Sequence, residues 1–391
     1  MRIVDVCAFY TPQGGGVKTY VERKLQAARP GREEVIIIAP GERDAVVQQS
    51  AAGCIMTVAA PRFPLDPRYH YFADETALHT LLDRLAPDVV EASSPWSSPN
   101  MVARWRGHAL RSLVMHADPL SAYAYRWFRP VASRDVIDRG FDWFWRHLRR
   151  LNDQFDIVVS ASASLSARLS AGGVYKVQTI PMGVTPGLFS PDLRSQELRA
   201  RMLARCGLPE QATLLLGLGR HSAEKRWPMV IEAVTAAGYQ HEVGFILFGN
   251  GRQQSAIVRS AANNPHVHLA APITNRQEVA SVLASADALV HGCEAETFCM
   301  VAAEAKASGL PLIIPDEGGA SDQFIVGQGE MYKARSPRAL ASAISRFITS
   351  GPHLHQQSAR QSATMVQSMD DHFAHLFASY AQRTEETTKA A

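Results

Sequence analysis

Continuous apolar runs, separated by stretches with helical spacing, constrain this chain more than any other feature. VIII at 35–38 and LLLGL at 214–218 are two of them. They lack the alternation of a strand with one wet face, so they suit a parallel sheet covered on both sides. Strands are expected at 2–9, 34–39, 88–92, 111–116, 156–160 and 177–181, then at 213–217, 243–248, 266–269, 287–290 and 311–314. Helical patterns lie between them, among them Val17–Ala28, Glu75–Leu85, Pro228–Ala237, Gln277–Ser285 and Phe298–Ala307. Strand–helix alternation throughout implies doubly wound α/β architecture.

At 391 residues the chain exceeds what one core ordinarily supports, so two such domains are expected. The segment IPMGVTPGLFSPDL, residues 180–193, holds three prolines and two glycines and interrupts regular structure. It sets the expected domains at 1–185 and 186–353. In the tail, 354–391, Met365, Met369, Phe373, Phe377 and Tyr380 recur at helical steps. That helix needs an apolar surface, and after the last strand it can cross back toward the first domain.

Composition excludes several classes. Hydrophobic residues make up 46% and charged residues 20%, and the net charge of +3 is too small to imply nucleic-acid binding. No apolar run of about 18 residues marks a transmembrane helix. The chain opens directly into a strand carrying Asp5, without a secretory leader. Cys7, Cys54, Cys206, Cys293 and Cys299 are scattered and form no CxxC, which points to reduced thiols and a cytoplasmic setting.

Four segments could carry chemistry. Gly14-Gly15-Gly16 follows the opening strand and precedes a helix, where backbone can approach a ligand and an anion is favoured, although a tight turn needs glycine anyway. It is not a dinucleotide fingerprint, because the spacing is wrong and the second strand ends in Ala39-Pro40-Gly41 without a ribose-binding acid. GRHSAEKR, 219–226, puts Arg220 and Lys225 at a strand's C-terminal end, a pairing suited to a diphosphate. The chain holds seven lysines against 33 arginines, so Lys225 is not compositional filler. ETFCMVAAE, 296–304, spaces Glu296 and Glu304 so that a continuous helix would set them about 12 Å apart, enough for two parts of one extended ligand. His116, in VMHAD at another strand end, offers hydrogen bonds to a polar ligand.

Together these segments resemble family-four retaining glycosyltransferases of the GT-B fold, two Rossmann-like domains facing across a cleft. GRHSAEKR, ILFGNG and ADALVHGCEAETFCMVAAEAKASGLPLI carry the resemblance, with GGGVKTYV and IPMGVTPGLFSP matching in kind, over roughly residues 1–350. The resemblance implies that Arg220 and Lys225 hold a donor diphosphate and stabilise the leaving nucleotide. Glu304 would bond ribose hydroxyls and Glu296 the donor sugar, with Thr297, Phe298 and Cys299 lending backbone amides. Gly15 and Gly16 would close on the diphosphate, Gly249 would adjoin the donor, and His116 would orient the transferred sugar. It implies retention of configuration, no metal and no cofactor beyond the substrate, a UDP- or GDP-linked sugar. Two departures concern the sugar: His291-Gly292-Cys293-Glu294 stands where small residues are usual, adding a carboxylate, and Thr297-Phe298 replaces a common Gly after the first Glu. Glu294 keeps a nucleotide-sugar 2-epimerase as an alternative, and a non-catalytic scaffold is a third.

Charge is unevenly placed. Residues 101–150 hold ten arginines, no lysine and four aspartates, interleaved with Tyr123, Tyr125, Trp127, Phe128, Trp143 and Trp145. Arginine with Trp and Tyr suits an anionic lipid surface, and a core helix with a solvated Arg face would look the same. HAD at 116–118 and LRRLNDQFD at 148–156 resemble the lipid-directed branch, mannosyltransferases and sulfoquinovosyl-diacylglycerol synthases. The expected acceptor is therefore a lipid or lipid-linked glycan met through 119–150, with Asp118, Tyr123 and Arg126 as acceptor-side residues and a peripheral position at the inner face of the cell membrane.

Overall fold

The computed structural model describes residues 1–12, 16–64, 69–129 and 131–390. Gly14 and Gly15 lie outside the described residues. The chain forms two compact units, one of residues 1–118, 127–181 and 369–391, the other of 119–126 and 182–368.

The first unit is built on an eight-stranded sheet. Its strands are β1 (Arg2–Cys7), β2 (Glu34–Gly41), β3 (Ala45–Ser50), β4 (Gly53–Ala59), β5 (Val89–Ser93), β6 (Leu110–Met115), β7 (Ile157–Ser160) and β8 (Val177–Thr179). They lie in the order β3-β4-β2-β1-β5-β6-β7-β8. Every neighbouring pair is parallel except β3 with β4. β1, β5 and β7 are mostly apolar and buried along nearly their whole length, with Asp5 in β1 and Glu91 in β5 as charged exceptions. β3 and β4 escaped the sequence reading: β3, AVVQQS, is an exposed antiparallel edge whose middle turns polar, so it offers no apolar run.

An ionic group sits inside this core. Lys24, on the helix Gly16–Ala27, donates to Asp5 Oδ2 at 2.9 Å and also to Glu91 Oε2. All three side chains are fully buried. Ser93 Oγ donates to Asp5 Oδ1 at 2.8 Å. Two carboxylates share one ammonium, and burial lifts Glu91 to about 7, with Lys24 opposing and Asp5 adding to the rise.

The second unit holds six parallel strands, β9 (Thr213–Leu218), β10 (Val243–Phe248), β11 (Val267–Ala270), β12 (Ala288–Val290), β13 (Leu312–Pro315) and β14 (Gly329–Tyr332). Their order is β11-β10-β9-β12-β13-β14. β14, GEMY, is too short and polar to have been expected from its apolar content. Trp227, Phe245 and Phe347, with no exposure, anchor a core of helix and sheet residues.

The tail differs from its expected course. A helix over Pro352–Ser362 stays with the second unit, a single 3-10 turn follows at Ala363–Met365, and Val366 is extended. Gln367 O accepts from Val184 N at 2.9 Å. The returning helix starts only at Met369, so Met365 is not on its apolar face and is 76% exposed. Met369, Phe373, Phe377 and Tyr380 are buried, and Tyr380 Oη lies 2.8 Å from Ser112 Oγ of β6.

Candidate functional site

In an open parallel sheet, ligands collect beyond the strand C-termini where the strand order reverses. In the second unit that point lies between β9 and β12, since β10 and β11 extend to one side and β13 and β14 to the other. The loops leaving these two strands are GRHSAEKR and HGCEAETFC. The first is pinned by its surroundings: Trp227 Nε1 donates to Arg220 O at 3.0 Å, and His221 N donates to Asn250 O at 2.6 Å. A Cβ on Gly249 would stand 2.0 Å from Gly219 O, so the glycine after β10 lets the two loops meet. Gly319 does the same for the second loop, donating its N–H to Glu296 O at 2.7 Å where a Cβ would sit 2.5 Å from the Thr297 carbonyl carbon.

The charges at this point are paired. Lys225 Nζ forms an ion pair with Glu296 Oε1, and His291 Nε2 lies 3.1 Å from the same oxygen. Burial favours the neutral form of each, but their mutual attraction wins: Lys225 is raised well above the ordinary lysine range and Glu296 held well below the carboxylate range, with His291 assisting. Glu304 sits on the helix Met300–Ala307, buried, and accepts a hydrogen bond from Arg276 Nη2. Burial outweighs that arginine and raises the Glu304 carboxyl. Arg276 Cζ lies 5.3 Å from the centre of the Phe189 ring, which fixes its direction. Arg276 was not singled out from sequence, where it is one arginine among 33.

Arg220 is different. Its side chain is 80% exposed, and its nearest acid is Glu224 at 3.8 Å. Glu224 also accepts from Ser222 Oγ and lies 3.5 Å from Arg126 Nη1. Segment 119–126 groups with the second unit, so Arg126 and Tyr123 stand there rather than with the rest of 119–150. Arg126 Cζ is 5.8 Å from the Tyr123 ring centre.

Two expectations need correction. The run from Glu296 to Glu304 is not one helix: Glu296, Thr297 and Phe298 are in the loop, Cys299 takes φ 71°, and the helix begins at Met300. The glycine expected within this loop is absent, and a left-handed cysteine makes the turn instead. Glu294 is not a spare carboxylate, because Arg226 Nε donates to its Oε2 at 2.7 Å and Nη2 to its Oε1. The epimerase alternative loses the group that supported it.

The first unit carries the rest. His116 follows β6, its ring edge-on to Tyr20 with centres 4.6 Å apart. Burial lowers it to about 4, so it is neutral at pH 7. Tyr20 Oη is 3.1 Å from His372 Nε2 on the returning helix. Asp118 is held by Arg168 Nε at 3.1 Å. Gly16 opens the first helix and is exposed.

Chemically, the second unit offers an ammonium buffered by a carboxylate, an exposed guanidinium, a buried carboxylate on a fixed arginine, and the start of the Met300–Ala307 helix, whose amides the Cys299 side chain does not cap. Such amides donate to anionic oxygen, and the two cations match a diphosphate.

Residues 14–188 match the family model "Glycosyltransferase Family 4", and residues 200–363 match "Glycosyl transferases group 1". The chain is similar to a GDP-mannose-dependent alpha-(1-6)-phosphatidylinositol dimannoside mannosyltransferase of Mycobacterium tuberculosis, 27% identical over 91% of this chain and 90% of that protein. It is also similar to sulfoquinovosyl transferase SQD2 of Arabidopsis thaliana, 29% identical over 61% of this chain and 44% of that protein. Among solved structures, sucrose-phosphate synthase from Thermosynechococcus elongatus superposes with a TM-score of 0.76 at 18% identity over all of both chains. The two models between them leave only the start, residues 189–199 and the stretch after 363, and the chain carries the two glycosyltransferase domains that they describe.

Proposed function

We propose that this protein transfers a hexose from a nucleoside-diphosphate sugar to a hydroxyl of a lipid or lipid-linked acceptor, with retention of configuration and without a metal. The observation that carries the donor half is the Lys225–Glu296 pair at the β9/β12 switch point, with Glu304 held one helix away. Lys225 and Arg220 supply the countercharge that a leaving diphosphate needs. Glu304 bonds ribose hydroxyls and Glu296 sugar hydroxyls, while amides of Thr297, Phe298 and Cys299 meet the phosphate. In the reaction the acceptor hydroxyl attacks the anomeric carbon on the face the diphosphate leaves. The departing phosphate oxygen takes the hydroxyl proton, so no enzyme nucleophile is required. His116, neutral, orients the sugar. Among donors, GDP-mannose is the first to test, because the Mycobacterium tuberculosis relative is named for it.

The lipid half rests on the names of two relatives, which act on a phosphatidylinositol dimannoside and transfer sulfoquinovose, and on surface chemistry. No described helix is long and apolar enough to cross a membrane. In the first unit Trp127, Phe128 and Trp143 are 59%, 43% and 53% exposed. Phe141 links Phe128 and Trp143 with ring centres 6.0 and 6.4 Å away. Beside them a groove of about 340 Å³ is lined by Trp96, Asn100, Trp143, His147 and Arg150. Exposed Arg134, Arg139, Arg146 and Arg150 lie among these rings along the sequence. Aromatics among arginines suit the interface of an anionic membrane, which would place the enzyme peripherally on its cytoplasmic face.

The test is product analysis with GDP-mannose and UDP-glucose, with and without phosphatidylinositol vesicles. The reading expects vesicle-dependent transfer with an α-linked product. Transfer to a soluble sugar that ignores vesicles, together with no flotation on anionic vesicles, would overturn the lipid half. An inverted product would overturn the stereochemistry.

A further inference from the structure

The loop after β12 carries a second pattern beside the diphosphate site. A ligand atom from each of His291, Glu296 and Cys299 lies within 4.8 Å of the other two. His291 has no exposed surface, and neither ring nitrogen makes a hydrogen bond among the described residues, Nε2 being the one that faces Glu296 Oε1 at 3.1 Å. An unpartnered buried imidazole nitrogen is rare and calls for a ligand. Its backbone is fixed, since Tyr332 Oη donates to His291 O at 2.8 Å. Cys299 is buried and unoxidised, and its φ of 71° places a side chain where glycine is the easier occupant.

Imidazole nitrogen, carboxylate oxygen and thiolate sulfur are together the donor set of zinc and similar borderline-soft cations, whereas magnesium and calcium take oxygen. Bonds of about 2.0 Å to nitrogen and oxygen and about 2.3 Å to sulfur require the three donors to close by roughly 1 Å, within reach of side-chain rotation at Glu296 and Cys299. We propose that His291, Glu296 and Cys299 form an inhibitory site for a zinc-class divalent cation. Binding makes one bond from the metal to each of nitrogen, oxygen and sulfur, and the Cys299 thiol proton is released to solvent. Lys225 opposes it: it shares Glu296 Oε1 and repels the cation, so the metal must displace it. The occupied site removes both Glu296 and the poised Lys225 from the donor. That consequence, unlike the binding itself, rests on the donor reading above.

The full chain is titrated with Co²⁺ alone, then with Zn²⁺. One equivalent of Co²⁺ should give a thiolate-to-metal absorption that Zn²⁺ bleaches. His291→Ala and Cys299→Gly, the latter suited to the left-handed backbone, should each weaken binding at least about tenfold, and Cys54→Ser, elsewhere in the chain, should not. Lys225→Met should tighten it. Absence of the absorption, or its survival in Cys299→Gly, overturns the site and leaves the donor reading intact. Metal binding with unchanged nucleotide-sugar affinity overturns the inhibition.

Discussion

Replacing Lys225 with methionine removes an ammonium while keeping the stem that packs beneath it. In the wild type that ammonium is ion-paired with Glu296, and the side chain is 16% exposed. A charged hydrogen bond to phosphate contributes about 1.5–3 kcal/mol, which converts to a loss of roughly 10- to 150-fold in nucleotide-diphosphate affinity. Because charge builds on the leaving diphosphate, the loss in kcat should be larger, about 10²- to 10³-fold. Lys225→Arg restores charge with different geometry and should recover part of both. Glu296→Gln in the same background gives the coupling: if the pair acts as a unit, the double variant should cost much less than the two single losses combined. The assay is steady-state turnover with calorimetric binding of the nucleoside diphosphate, with thermal unfolding to exclude a folding defect. A folded Lys225→Met protein with kcat within about threefold of wild type would refute the assignment of Lys225 as the diphosphate countercharge.

Other expectations follow from the same geometry. Since Lys225 is raised and Glu296 lowered, their ion pair stays intact between pH 5 and 9, so neither produces a limb in the pH–rate profile there; a limb abolished by Glu296→Gln would contradict this. Arg276→Ala frees the Glu304 carboxyl that it positions and should weaken donor binding about 10-fold, measured by calorimetry, and lower stability by about 1–3 kcal/mol because the buried Glu304 loses its partner. Glu91, raised to about 7 by burial among Asp5, Lys24 and Tyr380, favours the folded state most below pH 4.5, and that contribution is lost as pH rises through 7. The stability of Glu91→Gln relative to wild type should therefore grow from pH 5 to pH 8, by no more than about 3 kcal/mol, followed by urea unfolding. Trp227→Ala should destabilise by about 3–5 kcal/mol, while Trp227→Phe should cost about 1 kcal/mol and slow turnover by loosening Arg220.

The architecture was legible because buried parallel strands must be apolar on both faces, and β9, β10 and β13 announce themselves that way. The edge was not: β3 faces solvent and reads as loop. At the candidate site, Arg220, Lys225, Glu296 and Glu304 stand out in the sequence because each follows a strand in a fixed order. Their partners could not. Arg276 reaches Glu304 from 28 residues away, and Arg226 reaches Glu294 from 68, distances at which sequence carries no pairing signal. The position of Arg126 beside Glu224 was hidden for the same reason, since 98 residues separate them. Met365 misled because helical spacing continued through a turn whose residues give no proline or glycine warning.

The central claim is that the β9/β12 switch point binds a nucleoside-diphosphate sugar through Lys225, Arg220 and Glu304. Calorimetric titration of the full chain with GDP-mannose and UDP-glucose tests it most directly. The account expects saturable one-to-one binding of at least one of them, weakened at least about tenfold by Glu304→Ala. No saturable binding of either sugar nucleotide, or equal binding by the folded Glu304→Ala protein, would contradict it.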